Sequence, residues 1–229
     1  MENSSSEKPK KLVVLTGAGM SAESGLATFR DSGGLWENYN VYEVATPEAW
    51  LADPEKVLHF YNLRRRQLEE VEPNSAHFYL AQLEEEMEVQ IITQNVDDLH
   101  ERAGSSKILH LHGELRKARS VNDPSYIVEV EGTDLTSDDM APDGSTMRPH
   151  VVWFGEDVPM MVPAIELVSQ ADHVLIIGTS LQVYPAAQLM DYRSPGVKVT
   201  VIDPGDLSLQ PGVHHIKKSA TKGVLDLPW

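Results

Sequence analysis

The chain has 229 residues and no cysteine. That length holds one well-buried core and a small appended lobe, and the lack of thiols excludes disulfides, thiolate metal sites and cysteine nucleophiles. A formal net charge of −16 argues against direct binding of nucleic acid; it suits a lysine-rich partner and plain solubility equally. Apolar residues at 41% and charged residues at 24% are ordinary for a soluble globular protein, and no apolar run reaches bilayer length, so no membrane partner is expected. Residues 1–11 are polar and lack the apolar stretch of a signal peptide. They read as a short frayed tail, and a cytoplasmic location is expected.

The first apolar run, residues 11–16, has Leu12, Val13, Val14 and Leu15 in succession before Gly17. It predicts a buried parallel strand. Gly17-Ala18-Gly19-Met20-Ser21-Ala22 follows. Glycines there let the backbone turn sharply and approach a pyrophosphate, and the start of the next helix favours negative charge. A tight strand-to-helix turn would use the same residues. The usual dinucleotide unit places a ribose-binding acid about 20 residues on. Here residues 28–36 carry two glycines, Arg30, Phe29 and Trp36, and predict a mobile loop instead.

Residues 36–74 read as helices only. Pro47 and Pro54 stand at helix starts, Asp53 is a candidate N-cap, and Pro73-Asn74 closes the segment. A second strand, residues 89–93, ends in Thr93-Gln94-Asn95-Val96-Asp97. Polar side chains beyond a strand end can bond ribose hydroxyls or an amide, or cap the next helix. A third strand, 107–111, carries His110 and leads to His112; alternation puts both on one face. No third ligand with metal spacing is evident. A general base near neutral pH is one use of such a histidine, and a satisfied structural residue is the other.

Residues 117–148 form a polar insertion rich in Asp, Ser, Gly and Pro with one strand-like piece, 126–131. An apolar strand at 173–178 runs into Gly178-Thr179-Ser180, a phosphate site or a plain loop. A last strand, Lys198–Ile202, ends at Asp203, a candidate ribose-binding acid far downstream. Strands alternating with helices predict an α/β protein. The expected architecture is a Rossmann-like parallel sheet domain, residues 1–35, 75–116 and 149–229, with a smaller lobe formed by two insertions, 36–74 and 117–148.

Taken together, these residues resemble the sirtuin family of NAD-dependent protein lysine deacylases. The resemblance rests on Gly17-Ala18-Gly19-Met20-Ser21-Ala22-Glu23-Ser24-Gly25, Thr28-Phe29-Arg30, Gly34-Leu35-Trp36, Thr93-Gln94-Asn95-Val96-Asp97, Leu111-His112-Gly113, the run from Arg148 to Glu156, and Gly178-Thr179-Ser180. It implies NAD as a consumed co-substrate, lined by Gly17, Ala18, Gly19, Ala22, Phe29, Arg30, Gln94, Asn95, Asp97, Gly178, Thr179 and Ser180. Asp97 would hold the nicotinamide carboxamide, and Gln94 and Asn95 the adjoining ribose. Asp203 stands where the family usually has Asn. His112 would be the catalytic base, taking a proton from a ribose hydroxyl, and the products would be free lysine, nicotinamide and O-acyl-ADP-ribose. Val152, Trp153, Phe154, Gly155 and Glu156, with Gln182, Val183 and Tyr184, would flank the substrate backbone as short strands.

Tyr61 and Arg64 lie three apart on a predicted helix and share a face. Sirtuins that remove succinyl and malonyl groups carry this Tyr-x-x-Arg pair, and a guanidinium with a phenol suits a terminal carboxylate. Arg64-Arg65-Arg66 also reads as a basic surface run. The chain departs from the family at zinc: most members hold one with four cysteines in the small lobe, and here Ser120 begins the corresponding stretch. No metal is expected. Two other functions suit parts of the pattern, NAD-dependent ADP-ribosyl transfer to protein and a non-catalytic module that binds NAD or acyl-lysine.

Overall fold

The computed structural model describes residues 10–26, 35–36 (backbone only), 39–179, 181 and 183–229. Of the expected loop at 28–36, residues 28–34, with Phe29 and Arg30, lie outside the described residues, as do Ser180 and Gln182, and Leu35 and Trp36 form a strand. The chain opens with β1 (Lys11–Thr16) and the single turn α1 (Ala18–Ser21), then a two-residue hairpin, β2 (Leu35–Trp36) with β3 (Tyr39–Asn40). Helices α2 (Pro47–Ala52), α3 (Pro54–Glu70) and α4 (Ser75–Leu83) follow. Next come β4 (Glu88–Thr93), α5 (Leu99–Arg102), β5 (Ile108–His110), β6 (Gly113–Ser120), β7 (Ile127–Glu129) and β8 (Met147–Val151). The chain closes with α6 (Met161–Ser169), β9 (His173–Ile177), β10 (Lys198–Ile202), β11 (His214–Ile216) and α7 (Ala220–Gly223).

Six strands form one parallel sheet in the order β11-β10-β9-β1-β4-β5. The expected α/β architecture is what the chain adopts. β1 is buried on both faces: Leu12 and Val14 enter one core with Leu80 and Ile177, while Val13 and Leu15 enter the other with Ala164 and Val201. This explains an apolar run with no alternation. From β1 the chain steps through β4 to β5 in one direction. Its later strands, β9 to β11, build outward in the other. The strand order therefore reverses between β1 and β9, and the crevice at their carboxyl ends is where such sheets bind ligands.

A second, antiparallel sheet, β7-β6-β8, packs with α2 and α3 around a third core. There Val57, Phe60, Tyr61 and Leu68 of α3 meet Leu115, Ala118, Met147 and Val151. Helix α3 starts as its sequence predicts: Pro54 occupies the first turn and the Asp53 carboxylate accepts the Lys56 amide at 3.0 Å. Asp53→Ala is expected to cost about 1 kcal/mol, read as a lower denaturation midpoint with unchanged slope. The basic run divides by helical position. Arg66 is exposed and pairs with Asp134 at 2.6 Å, Arg64 is buried, and Arg65 is fully enclosed. Arg65 donates to the carbonyls of Thr133 at 2.8 Å and Leu115 at 3.1 Å, tying α3 to the lobe.

Two expectations need correction. Residues 36–74 are not helices only, because the β2–β3 hairpin and a 3-10 turn, Val41–Glu43, precede α2. Two-residue strands are too short to show a period. Nor are Val152 to Glu156 or Val183 and Tyr184 strands in this structure. β8 stops at Val151, and the next residues turn at Gly155, whose φ of +91° favours glycine. Instead of a ladder, the Phe154 amide donates to the Ala45 carbonyl at 3.0 Å and that of Glu156 to Trp153 at 3.1 Å.

Candidate active site

Register brings the separated motifs together. Ile202 of β10, Ile177 of β9, Thr16 of β1, Thr93 of β4 and His110 of β5 lie in line across the sheet. Each strand therefore delivers its next residues to one edge: Asp203, Gly178 and Thr179, Gly17 to Gly19, Gln94 to Asp97, and Leu111 with His112.

At the point of reversal the glycines are sterically required. A Cβ on Gly19 would stand 2.7 Å from the Gly178 Cα, and one on Gly178, whose φ is +65°, only 2.3 Å from the Met20 nitrogen. The Gly19 amide donates to the Gly178 carbonyl at 2.8 Å. The two turns thus touch backbone to backbone and leave Ala18 exposed above them. Ala22 is half-buried at the end of this turn.

Beyond β4 the side chains form a buried polar array. The Asn95 side-chain amide donates to the Gly17 carbonyl and to Ser21 Oγ, both at 3.1 Å. Ser21 in turn donates to Asp97 at 3.0 Å, and the Leu99 amide donates to the same carboxylate at 3.2 Å. Burial pushes the Asp97 pKa up, against the pull of those two donors. Gln94 donates from Nε2 to Thr179 Oγ1 at 3.2 Å, bridging the ends of β4 and β9. Asp203 is buried, and its Oδ1 accepts the Gly205 amide at 2.8 Å. Ser21 and Thr93 stood inside quoted motifs without a role of their own, and Thr16 only closed the first strand. A hydroxyl inside a glycine turn, and threonines ending two neighbouring strands, were the available signals. Thr16 donates to Thr93 at 2.8 Å, and Thr93 accepts the Asn95 amide at 3.0 Å.

The two histidines at the end of β5 do point to one side, toward the segment after β4, but their environments differ. His110 is held at both nitrogens, by the Asn95 carbonyl at 3.1 Å and the Glu101 carboxylate at 2.8 Å. Burial alone would lower its pKa; Glu101 more than reverses that and raises it. Among the described residues His112 has no carboxylate partner. Burial lowers its pKa, with the Gln94 carbonyl opposing. That carbonyl lies 3.0 Å from Nδ1, which must carry the hydrogen, so the neutral ring presents a lone pair at Nε2. Nε2 has no partner among the described residues. The surroundings thus favour the cation at His110 and the neutral ring at His112.

In the small lobe Tyr61 is fully buried and Arg64 nearly so, on the same face of α3. Trp153 Nε1 donates to the Tyr61 hydroxyl at 2.9 Å. Burial pushes the Tyr61 pKa far above its ordinary value, more strongly than Trp153 and the nearby Arg64 and Arg148 pull it down. Glu156, expected beside substrate, is engaged with protein: it accepts from Arg148 at 2.6 and 3.1 Å, from Arg119 at 3.3 Å and from the Trp153 amide at 2.8 Å. Phe154 is half-exposed and pairs with the exposed Tyr42 ring at 6.3 Å; Val183 and Tyr184 are exposed as well. Val152 is half-buried and donates its amide to the His112 carbonyl at 2.9 Å, which joins this segment to the end of β5.

A profile of the Sir2 family matches residues 17–185. An NAD-dependent protein deacylase of Helicobacter pylori is 55% identical over 220 residues, covering 95% of this chain and 96% of that protein. One from Bacteroides thetaiotaomicron is 54% identical over 225 residues, covering 95% and 96%. Among solved structures, a Sir2 homologue in complex with NAD has a TM-score of 0.84 at 41% identity, covering 95% of this chain and 87% of that one. A mutant Sir2 homologue bound to ADP-ribose has a TM-score of 0.86 at 38% identity, covering 98% and 94%. The crevice at the strand reversal, the neutral histidine at its edge and near-complete coverage by these relatives agree, and the chain belongs to the Sir2 family.

Proposed function

We propose that this Sir2-family protein is an NAD-dependent protein lysine deacylase that uses His112 as its base and favours acyl chains ending in a carboxylate, such as succinyl and malonyl. The observation that carries the reaction is the state of His112: its pKa lowered by burial, oriented by the Gln94 carbonyl, and without a partner at Nε2 among the described residues.

The residues at the crevice fit a dinucleotide. Gly17 and Gly19 against Gly178 leave a turn with no side chain to block a pyrophosphate. Thr179 and Gln94 supply hydroxyl and amide groups, Asn95 is steered by Gly17 and Ser21, and Asp203 stands at the end of β10 for the far ribose. Asp97 offers a carboxylate, oriented by Ser21 and the Leu99 amide, to a carboxamide N–H. Phe29, Arg30 and Ser180 complete the proposed set by family resemblance. When bound, NAD supplies a labile bond to nicotinamide and a ribose that takes over the acyl group. His112 Nε2 accepts the proton of a ribose hydroxyl, and the Gln94 carbonyl stabilises the resulting imidazolium through Nδ1–H.

Tyr61 and Arg64 form the proposed acyl subsite. A buried guanidinium is a poor neighbour for a methyl group and a strong one for a carboxylate. The peptide backbone would lie between Val152 to Gly155 and Val183, with Trp153 beneath, where the Phe154 and Val183 side chains are exposed. Glu156 braces this segment through Arg148 and Arg119. The test is a competition between matched acetyl-lysine and succinyl-lysine peptides with NAD, read by mass. Faster loss of the succinyl group is expected; preference for acetyl would contradict the assigned acyl subsite.

The small lobe is further proposed to hold without zinc. Ser120 Oγ donates to Ser145 Oγ at 2.7 Å and accepts the amides of Asn122 at 3.1 Å and Asp123 at 2.9 Å; Ser145 Oγ donates to Asp143 at 2.7 Å. Hydroxyls committed in this way do not fit a zinc site, which prefers sulfur and nitrogen. No group of three or more His, Cys, Asp or Glu able to hold a metal occurs among the described residues. A strong chelator is expected to leave activity and melting temperature unchanged, and marked loss of either would contradict the proposal.

A further inference from the structure

Trp153 is 2% exposed and Tyr61 not at all. The one hydrogen bond that their side chains make among the described residues runs 2.9 Å from the indole Nε1–H to the phenol oxygen. Direction is forced here, because an indole nitrogen donates and cannot accept. The phenol oxygen is therefore the acceptor, and its own hydrogen must point elsewhere. Among the described residues that hydrogen meets no acceptor. A buried donor without a partner is costly, so this one is matched to something that arrives.

The indole itself is held on several sides. The Arg148 guanidinium lies 3.3 Å from the centre of its ring. Glu156 grips Arg148 with both carboxylate oxygens and also takes the Trp153 backbone N–H. The Trp50 ring lies 5.8 Å away, and Phe60 packs edge-on against Tyr61 at 5.0 Å.

We infer that Trp153 is a positioning residue for acyl specificity: its N–H occupies the Tyr61 oxygen so that the phenol presents its hydrogen to the terminal carboxylate of an acyl chain beside Arg64. The inference rests on the acidic-acyl reading above. The phenol keeps its hydrogen at every working pH, since burial raises its pKa. A hydrogen fixed before binding spares the rotamer cost of finding the carboxylate. An acetyl group has no carboxylate and gains nothing from this arrangement. Glu156 and Arg148 then act on specificity at one remove, by holding the indole plane.

The experiment compares the succinyl-to-acetyl ratio of kcat/KM in the unaltered protein, Trp153→Phe, Tyr61→Phe and the double variant. Trp153→Phe is expected to lower the ratio about tenfold, mainly through KM for the succinyl peptide. On the Tyr61→Phe background the same change is expected to alter the ratio by less than about twofold, because there is no phenol left to orient. A purely structural Trp153 would affect both substrates, and would do so with or without the phenol. Replacing Trp153 by benzothienylalanine, which keeps the bicyclic shape and removes only the N–H, repeats the test if Trp153→Phe fails to fold. An unchanged ratio in either single variant at position 153, or an equal loss without the Tyr61 hydroxyl, overturns the inference while the acyl reading stands. If the unaltered protein does not favour succinyl-lysine at all, the acyl reading falls and takes this inference with it.

Discussion

His112→Ala is expected to lower kcat/KM by about 10²- to 10⁴-fold, the span for a general base, while melting temperature and NAD affinity stay near those of the unaltered protein. The ring is half-buried and makes a single hydrogen bond among the described residues, so its loss leaves little strain. His110→Gln is the control. That ring is tied to Asn95 and Glu101 and is drawn toward the cation, so it cannot serve as a base, and its loss should cost far less in the chemical step. The pH profile gives the same division. Because burial holds the His112 pKa below 6.5, the neutral imidazole persists as pH falls past that value. Activity is lost only on passing through the depressed pKa. A profile that bends at 6.5 or above would identify a different group as the base.

Arg64→Met is expected to cost the succinyl peptide about a hundredfold in kcat/KM. Removing one partner of a buried charge pair strands the other, at about 3 kcal/mol for the lower part of the usual range. Methionine preserves much of the bulk of the buried stem. The acetyl peptide carries no charge to strand, so its loss should be much smaller and the order of preference should reverse. Arg64→Lys should recover part of the effect, because a point charge attracts a carboxylate without matching its two oxygens. Equal losses on both peptides would make Arg64 a packing residue of α3 and remove it from the acyl subsite.

The sheet domain was far more legible in the sequence than the small lobe. β1 and β9 are continuous apolar runs because both faces are covered, and each ends at a glycine. β6 and β8 have no such pattern. β6 reads Gly-Glu-Leu-Arg-Lys-Ala-Arg-Ser, with an irregular register between Gly113 and Ala118 that breaks alternation, and β8 contains Pro149. Strand order was also invisible: nothing local in β9 says that it lies beside β1, yet that neighbour relation creates the crevice. In the site, the ends of β1, β4, β5, β9 and β10 stood out as motifs, whereas the difference between His110 and His112 did not. It depends on Glu101, nine residues before His110 and brought there by α5. Likewise Arg64, Arg65 and Arg66 look alike in sequence, and the 100° step of a helix separates them into a buried, a structural and an exposed residue.

The most direct test of the whole account is the mass of the nucleotide product after incubation with NAD and a succinyl-lysine peptide. The account predicts nicotinamide and O-succinyl-ADP-ribose in equal amounts with free-lysine peptide, formed at least about a hundredfold more slowly with His112→Ala. A peptide or protein that gains ADP-ribose and keeps its acyl group would contradict it and assign the crevice to ADP-ribosyl transfer.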